Sequence, residues 1–146
     1  MLIVSLIAAF FSLFPHSMTG SAVERQGVHC DIRLTAVALK PGGTYQMEIR
    51  FSPEDGVHVN SDSPIDIEFE ELSPLRYAGP LSMRKIPTTE FVDTRHPLTA
   101  NVAVIKKCKS GKHTVKGSLR FTFSSDAEGW SSRYTQPFEL TFTVSP

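Results

Sequence analysis

The residues able to do covalent chemistry are few and far apart. Two cysteines occur, Cys30 and Cys108, with no CxxC spacing between them to make a redox or metal motif. Five histidines are scattered, and none makes an HxxxH pair with another. His29 stands next to Cys30, but tetrahedral metal sites need clustered ligands, so no metal site is expected. Nucleophilic catalysis needs a Ser or Cys beside an oriented base. No GxSxG elbow appears and neither cysteine carries a protease-like signature, so no catalytic residue is assigned. Glu70 and Glu71 are adjacent carboxylates, but neighbours on a strand point to opposite faces and cannot share a proton. No glycine-rich phosphate loop is present, and no cofactor is implied. The 15 basic and 15 acidic residues cancel and form no stripe, which argues against a nucleic-acid partner.

What remains is aromatic. "SSDAEGWSSRYTQ", residues 124–136, carries Trp130 and Tyr134 between two runs that read as strands. Read as a structureless loop, it is longer than an ordinary hairpin connection, and such loops are more often functional than idle. "EFVDTRHP", residues 90–97, carries Phe91 among polar residues. Phe91, Trp130 and Tyr134 are therefore the expected partner-binding residues, grouped as an aromatic patch where the two loops meet.

The elements that would hold these loops show period-two alternation. "TYQMEIRF" places Tyr45, Met47, Ile49 and Phe51 on one face. "HTVKGSLRFTF" does the same with Val115, Leu119, Phe121 and Phe123, and "PFELTFTV" with Phe138, Leu140, Phe142 and Val144. "KPGG" and "PEDG" are turns in which Pro fixes φ and Gly accepts a positive φ. Seven to eight short strands follow, with no segment of helical period. Strands with one wet and one dry face must pack dry face to dry face. The expected fold is an all-β, immunoglobulin-like β-sandwich of two antiparallel sheets. Cys30 shares parity with Ile32 and Leu34, and Cys108 with Val102 and Val104. Both thiols could point inward, either as a bridge or as two separate buried thiols. A bridge would stabilise the fold by about 4–5 kcal/mol in the chain-entropy treatment.

The first residues differ in kind. "MLIVSLIAAFFSLF" holds an uncharged apolar run of about 13 residues, short of the roughly 20 that span a membrane. Gly20 and Ala22 follow with the spacing of a cleavage site. Residues 1–22 read as a secretory signal peptide without a positive n-region, leaving residues 23–146 as one exported domain, periplasmic or secreted.

Four stretches together carry a resemblance: "FSPEDGVHVNSDSP", "TTEFVD", "VKGSLRFTF" and "SSDAEGWSSRYTQPFELTF". In order and spacing they resemble the N-terminal, periplasmic domain of the thiol–disulfide interchange protein DsbD, an immunoglobulin-like sandwich. The resemblance implies that "TTEFVD" is a cap loop whose Phe91 shields the active site. It also implies that the last long loop is the place of the family's redox cysteine pair. The matching positions here are Ser124 (or Ser125) and Trp130 (or Ser131), none of them cysteine. A hydroxyl cannot exchange disulfides, because exchange requires a thiolate. The expectation is an exported, non-catalytic domain that binds a protein or peptide in the periplasm. The alternative is a thiol–disulfide oxidoreductase component using Cys30 and Cys108.

Overall fold

The computed structural model describes residues 27–146, so the expected signal peptide at 1–22 lies outside the described residues. Every regular element among the described residues is a strand. They are β1 (Val28–Leu34), β2 (Ala38–Leu39), β3 (Thr44–Pro53), β4 (Val57–Val59), β5 (Asp66–Phe69), β6 (Leu75–Tyr77), β7 (Leu98–Val104), β8 (Gly111–Ser125) and β9 (Trp130–Val144). One sheet runs β1-β3-β7-β6 and the other β2-β9-β8-β4, with β5 also paired to β8. This is the A-B-E-D and G-F-C order of an immunoglobulin-like sandwich.

The alternating residues face where the sequence places them. Met47, Ile49 and Phe51 of β3 are buried against Leu119, Phe121 and Phe123 of β8 in one continuous core. Phe121, 1% exposed, packs its ring at a tilt against Phe51, with centroids 4.8 Å apart and planes at 58°. Burial of each such side chain contributes roughly 1.5–3 kcal/mol.

Three features depart from expectation. Nine strands form rather than seven or eight, because two-residue β2 and three-residue β6 are too short to show a period. The sheets are not wholly antiparallel: β2 pairs with β9 in parallel, Ala38 with Thr143 and Leu39 with Val144. Residues 124–136 are not a long loop. The β8–β9 ladder continues unbroken from Gly111↔Val144 to Ser125↔Trp130. Only residues 126–129 turn the chain. The Gly129 N–H donates to the Ser125 carbonyl at 2.9 Å, and Gly129 takes φ 67°, which a residue without Cβ does at little cost. The result is one long hairpin, and its inner and outer faces carry different side chains.

Candidate functional site

At the hairpin end three strands lie side by side. His58 of β4 pairs with Ser124 of β8, and Ser124 pairs with Ser131 of β9. Their neighbours Val57, Val59, Phe123 and Ser125 are buried toward the core. Alternation therefore sets His58, Ser124 and Ser131 on the outer face. The resemblance offered Ser124 or Ser125 and Trp130 or Ser131 as the matching positions; the register pairs Ser124 with Ser131 and Ser125 with Trp130.

Phe91 lies over the β4 part of this face. Its ring stacks on the His58 imidazole, centroids 4.2 Å apart and planes within 10°. The segment carrying it is laid along the free edge of β4: the Val92 N–H donates to the Val59 carbonyl at 2.8 Å, and the Ser61 N–H to Glu90 at 2.7 Å. The preceding turn is tight. The Ile86 N–H donates to the Phe91 carbonyl at 3.0 Å, the Thr89 hydroxyl to the Ile86 carbonyl at 2.8 Å, and the Phe91 N–H to Thr89 Oγ1 at 3.2 Å. Thr88 holds φ 62°, a left-handed conformation unusual for a β-branched residue. Strain of this kind persists only where surrounding contacts impose it. Below Phe91, Asp93 accepts two hydrogen bonds from the Arg95 guanidinium, both at 2.9 Å. That side-chain hydrogen bonding holds the Asp93 carboxyl well below its ordinary range, at about 2.

The polar groups here are committed to one another. The Ser124 hydroxyl donates to Asn60 Oδ1 at 2.9 Å, while His58 Nε2 faces Asp126 Oδ2 at 3.5 Å. The hydroxyl hydrogen goes to an amide oxygen and the imidazole is turned to a carboxylate, so Ser124 is not activated as a nucleophile.

The three expected aromatic residues are not one patch. Trp130 and Tyr134 point inward. Trp130 meets Phe123 edge-on with centroids 5.4 Å apart, and Tyr134 meets Phe121 at 6.0 Å and Phe123 at 6.4 Å. The Trp130 indole N–H also donates to Glu128. Phe91 lies on the opposite side of the sheet. Sequence reading placed all three in loops, where parity cannot separate them; Trp130 and Tyr134 sit on β9, where it does. His58, Asn60 and Asp126 were missed. The available signal was "VHV", which sets a histidine on the wet face between two inward valines.

The bridge between Cys30 and Cys108 is not formed; both thiols are free. Cys30 lines a cavity of about 380 Å3 with Tyr134 and Gln136. Cys108 Sγ lies 3.6 Å from His113 Nε2, and His113 pairs with Phe142. From Gln136 to Phe142 along β9 is about 20 Å at roughly 3.3 Å per residue. A disulfide needs Cα atoms within about 7 Å. Burial pushes the Cys30 thiol up to about 12, with the Asp31 charge adding to it, and burial raises Cys108 as well. Such thiols are poor nucleophiles at neutral pH. Among the described residues no three His, Cys, Asp or Glu side chains gather to hold a metal ion.

No family model matches the chain, and no curated protein matches it. Two solved structures are similar in overall shape. A murine CRIg structure shares 9% identity at a TM-score of 0.43, covering 81% of this chain and 99% of that one. A type I cohesin–dockerin complex from Clostridium thermocellum includes a chain with 12% identity at a TM-score of 0.41, covering 80% and 99%.

Proposed function

We propose that this is an exported, non-catalytic sandwich domain that holds a protein or peptide partner of the periplasm at the outer face of its hairpin end. One observation carries the reading. Phe91 is presented by a strained, hydrogen-bonded turn onto His58, beside the cross-strand pair Ser124 and Ser131. That is where the resemblance to the DsbD N-terminal domain puts a capped reactive pair, with hydroxyls in place of thiols. Hydroxyls cannot exchange disulfides, so a site of this composition serves recognition without electron transfer. The alternative use of Cys30 and Cys108 as a redox couple has nothing in its favour: the two thiols are remote from each other and both are suppressed.

Site-specific photocrosslinking in periplasmic extract tests the reading. A photoreactive residue at position 131 is expected to yield a discrete adduct that disappears in Phe91→Ala and is not formed from position 141 at the other end of β9. Equal adducts from both positions, or an adduct indifferent to Phe91, would remove the hairpin end as the binding surface.

A further inference from the structure

The charges of this chain cancel overall but not locally. No acidic residue occurs between Asp93 and Asp126, and no lysine or arginine between Glu54 and Glu71. Strand β5 brings part of the acidic stretch alongside β8, with Asp66 opposite Arg120 and Phe69 opposite Gly117. Next down the strand, Lys116 lies 3.9 Å from Glu139. Below that level the compensation ends. Residues 35–47, 98–112 and 140–146 converge at the end of the sandwich remote from the hairpin end, and none of them is acidic.

These segments carry Lys40, Lys106, Lys107, Lys109 and Lys112, all exposed. Two turns hold the lysines together. The Gly42 N–H donates to the Val104 carbonyl and the Val104 N–H to the Gly43 carbonyl, both at 2.9 Å, which ties the Lys40 turn to the β7–β8 connection. In that connection Cys108 is buried and His113 Nε2 lies 2.6 Å from the Lys109 carbonyl oxygen, so the lysines beside Cys108 are held outward. Among the described residues none of the five is in an ion pair. Glu70 and Glu71 lie in the turn before β6 and form no ion pair with them. Arg76 of β6 donates to the Glu71 and Ser73 carbonyls instead of joining the cluster. Like charges held this close repel one another, and a polyanion relieves the repulsion.

Apolar side chains select among polyanions. Val37 is 79% exposed and Leu72 96%. The Val37 carbonyl accepts from the Thr143 N–H at 3.0 Å, and Thr143 stands opposite Lys112. Leu72 comes two residues before Pro74, whose carbonyl accepts from the N–H of Ile105, the neighbour of Lys106, at 2.9 Å. Exposed apolar residues therefore adjoin the cations at both ends of the β7–β8 connection. Lysine is a hydrated point charge on a flexible stem, suited to a diffuse layer of anions rather than to one planar group. An acidic peptide or a nucleic-acid backbone would leave Val37 and Leu72 unused; a lipid surface takes both kinds of group, cations at the headgroups and apolar side chains at the acyl boundary.

We infer that this end of the sandwich docks on an anionic phospholipid surface through Lys40, Lys106, Lys107, Lys109 and Lys112, with Val37 and Leu72 entering the interface. Lys112 and Ser124 are about 40 Å apart along β8 at roughly 3.3 Å per residue. The docked domain keeps its hairpin end clear of the lipid, so this surface and the proposed partner surface can fail separately.

Lysine footprinting tests the assignment. Full-length protein is acetylated with and without vesicles of equimolar phosphatidylglycerol and phosphatidylcholine, and each lysine is read by mass spectrometry. Vesicles of phosphatidylcholine alone are the control for the apolar segment 1–22, which is present in every arm. The anionic vesicles are expected to protect the five lysines and to leave Lys85, which is exposed on another segment, reactive. Protection is expected to vanish near 1 M salt, where the screening length is about 3 Å. In Lys106→Gln/Lys107→Gln the lipid concentration that half-protects Lys109 and Lys112 is expected to rise about tenfold or more. Val37→Ser/Leu72→Ser is expected to raise it several-fold, and Phe91→Ala to leave it unchanged. Equal protection by the neutral vesicles, equal protection of Lys85, or indifference to Val37→Ser/Leu72→Ser would each overturn the assignment. So would protection by polyglutamate or duplex DNA at the same charge concentration without protection by the anionic vesicles.

Discussion

The two faces of the β8–β9 hairpin end use the same kind of side chain for opposite ends. On the inner face Trp130 and Tyr134 pack around Phe123 and extend the core to the tip. On the outer face a neighbouring segment supplies Phe91, which rests on a polar histidine rather than on other apolar groups. Aromatic residues near a hairpin tip thus divide by parity. Those on the ladder stabilise it, and the one brought from outside is the one proposed to meet a partner.

Truncation separates the faces most sharply. Phe123→Ala is expected to destabilise the fold by about 3–5 kcal/mol in urea denaturation, the ordinary cost of emptying a buried phenylalanine site. Phe91→Ala should cost about 0.5–1.5 kcal/mol, the worth of one stacked pair, while abolishing the crosslink at position 131. If both variants lost stability alike, the outer ring would be core and the distinction would fail.

A restored thiol pair probes the outer face next. Ser124→Cys with Ser131→Cys puts two thiols on directly opposed residues, whose Cα atoms in antiparallel ladders lie about 4.5–5.5 Å apart, within disulfide range. The double variant is expected to oxidise to a closed species, seen as a loss of two mass units and of two titratable thiols, and to gain about 2 kcal/mol. Failure to close under oxidant would mean that the two serines do not share a face.

The base of the Phe91 segment should respond to acid. The folded Asp93 carboxyl lies near 2, below its ordinary value of 3.8. A depressed value means that the unfolded chain binds the proton first, so the Asp93–Arg95 contribution is complete above about pH 4 and is lost as pH falls toward 2. Denaturation midpoints should show this loss in the wild type and a flatter profile in Asp93→Asn. The smallest effect belongs to the turn. Thr88→Asn suits a left-handed backbone better and is expected to raise stability by about 0.5 kcal/mol without changing capture.

Much of the sandwich was legible because burial on one face leaves a strict period in β3, β7 and lower β9. The upper hairpin was not. Its inward series on β9 is Trp130, Ser132, Tyr134 and Gln136, and the two polar members break the apolar alternation near the end of the sandwich, where full burial is not required. The run therefore looked like a loop. The site was half legible. Phe91 was named from the sequence, but its partner His58 is 33 residues away and only the pairing of residues 90–92 along β4 brings them together. Of the two arrangements left open for the thiols, two separate ones are found; the sequence could not choose because parity says which face a thiol shares, not where along the strands it sits.

The parallel pairing of β2 with β9 has a kinetic meaning. It joins Ala38 to Thr143, contacts spanning almost the whole described chain. Closing so large a loop is entropically slow, and topologies dominated by such pairings fold in milliseconds to seconds. Leu39, wholly buried once folded, stays uncovered on a nascent chain until Thr143 and Val144 arrive, so the sandwich completes itself only after synthesis has passed them.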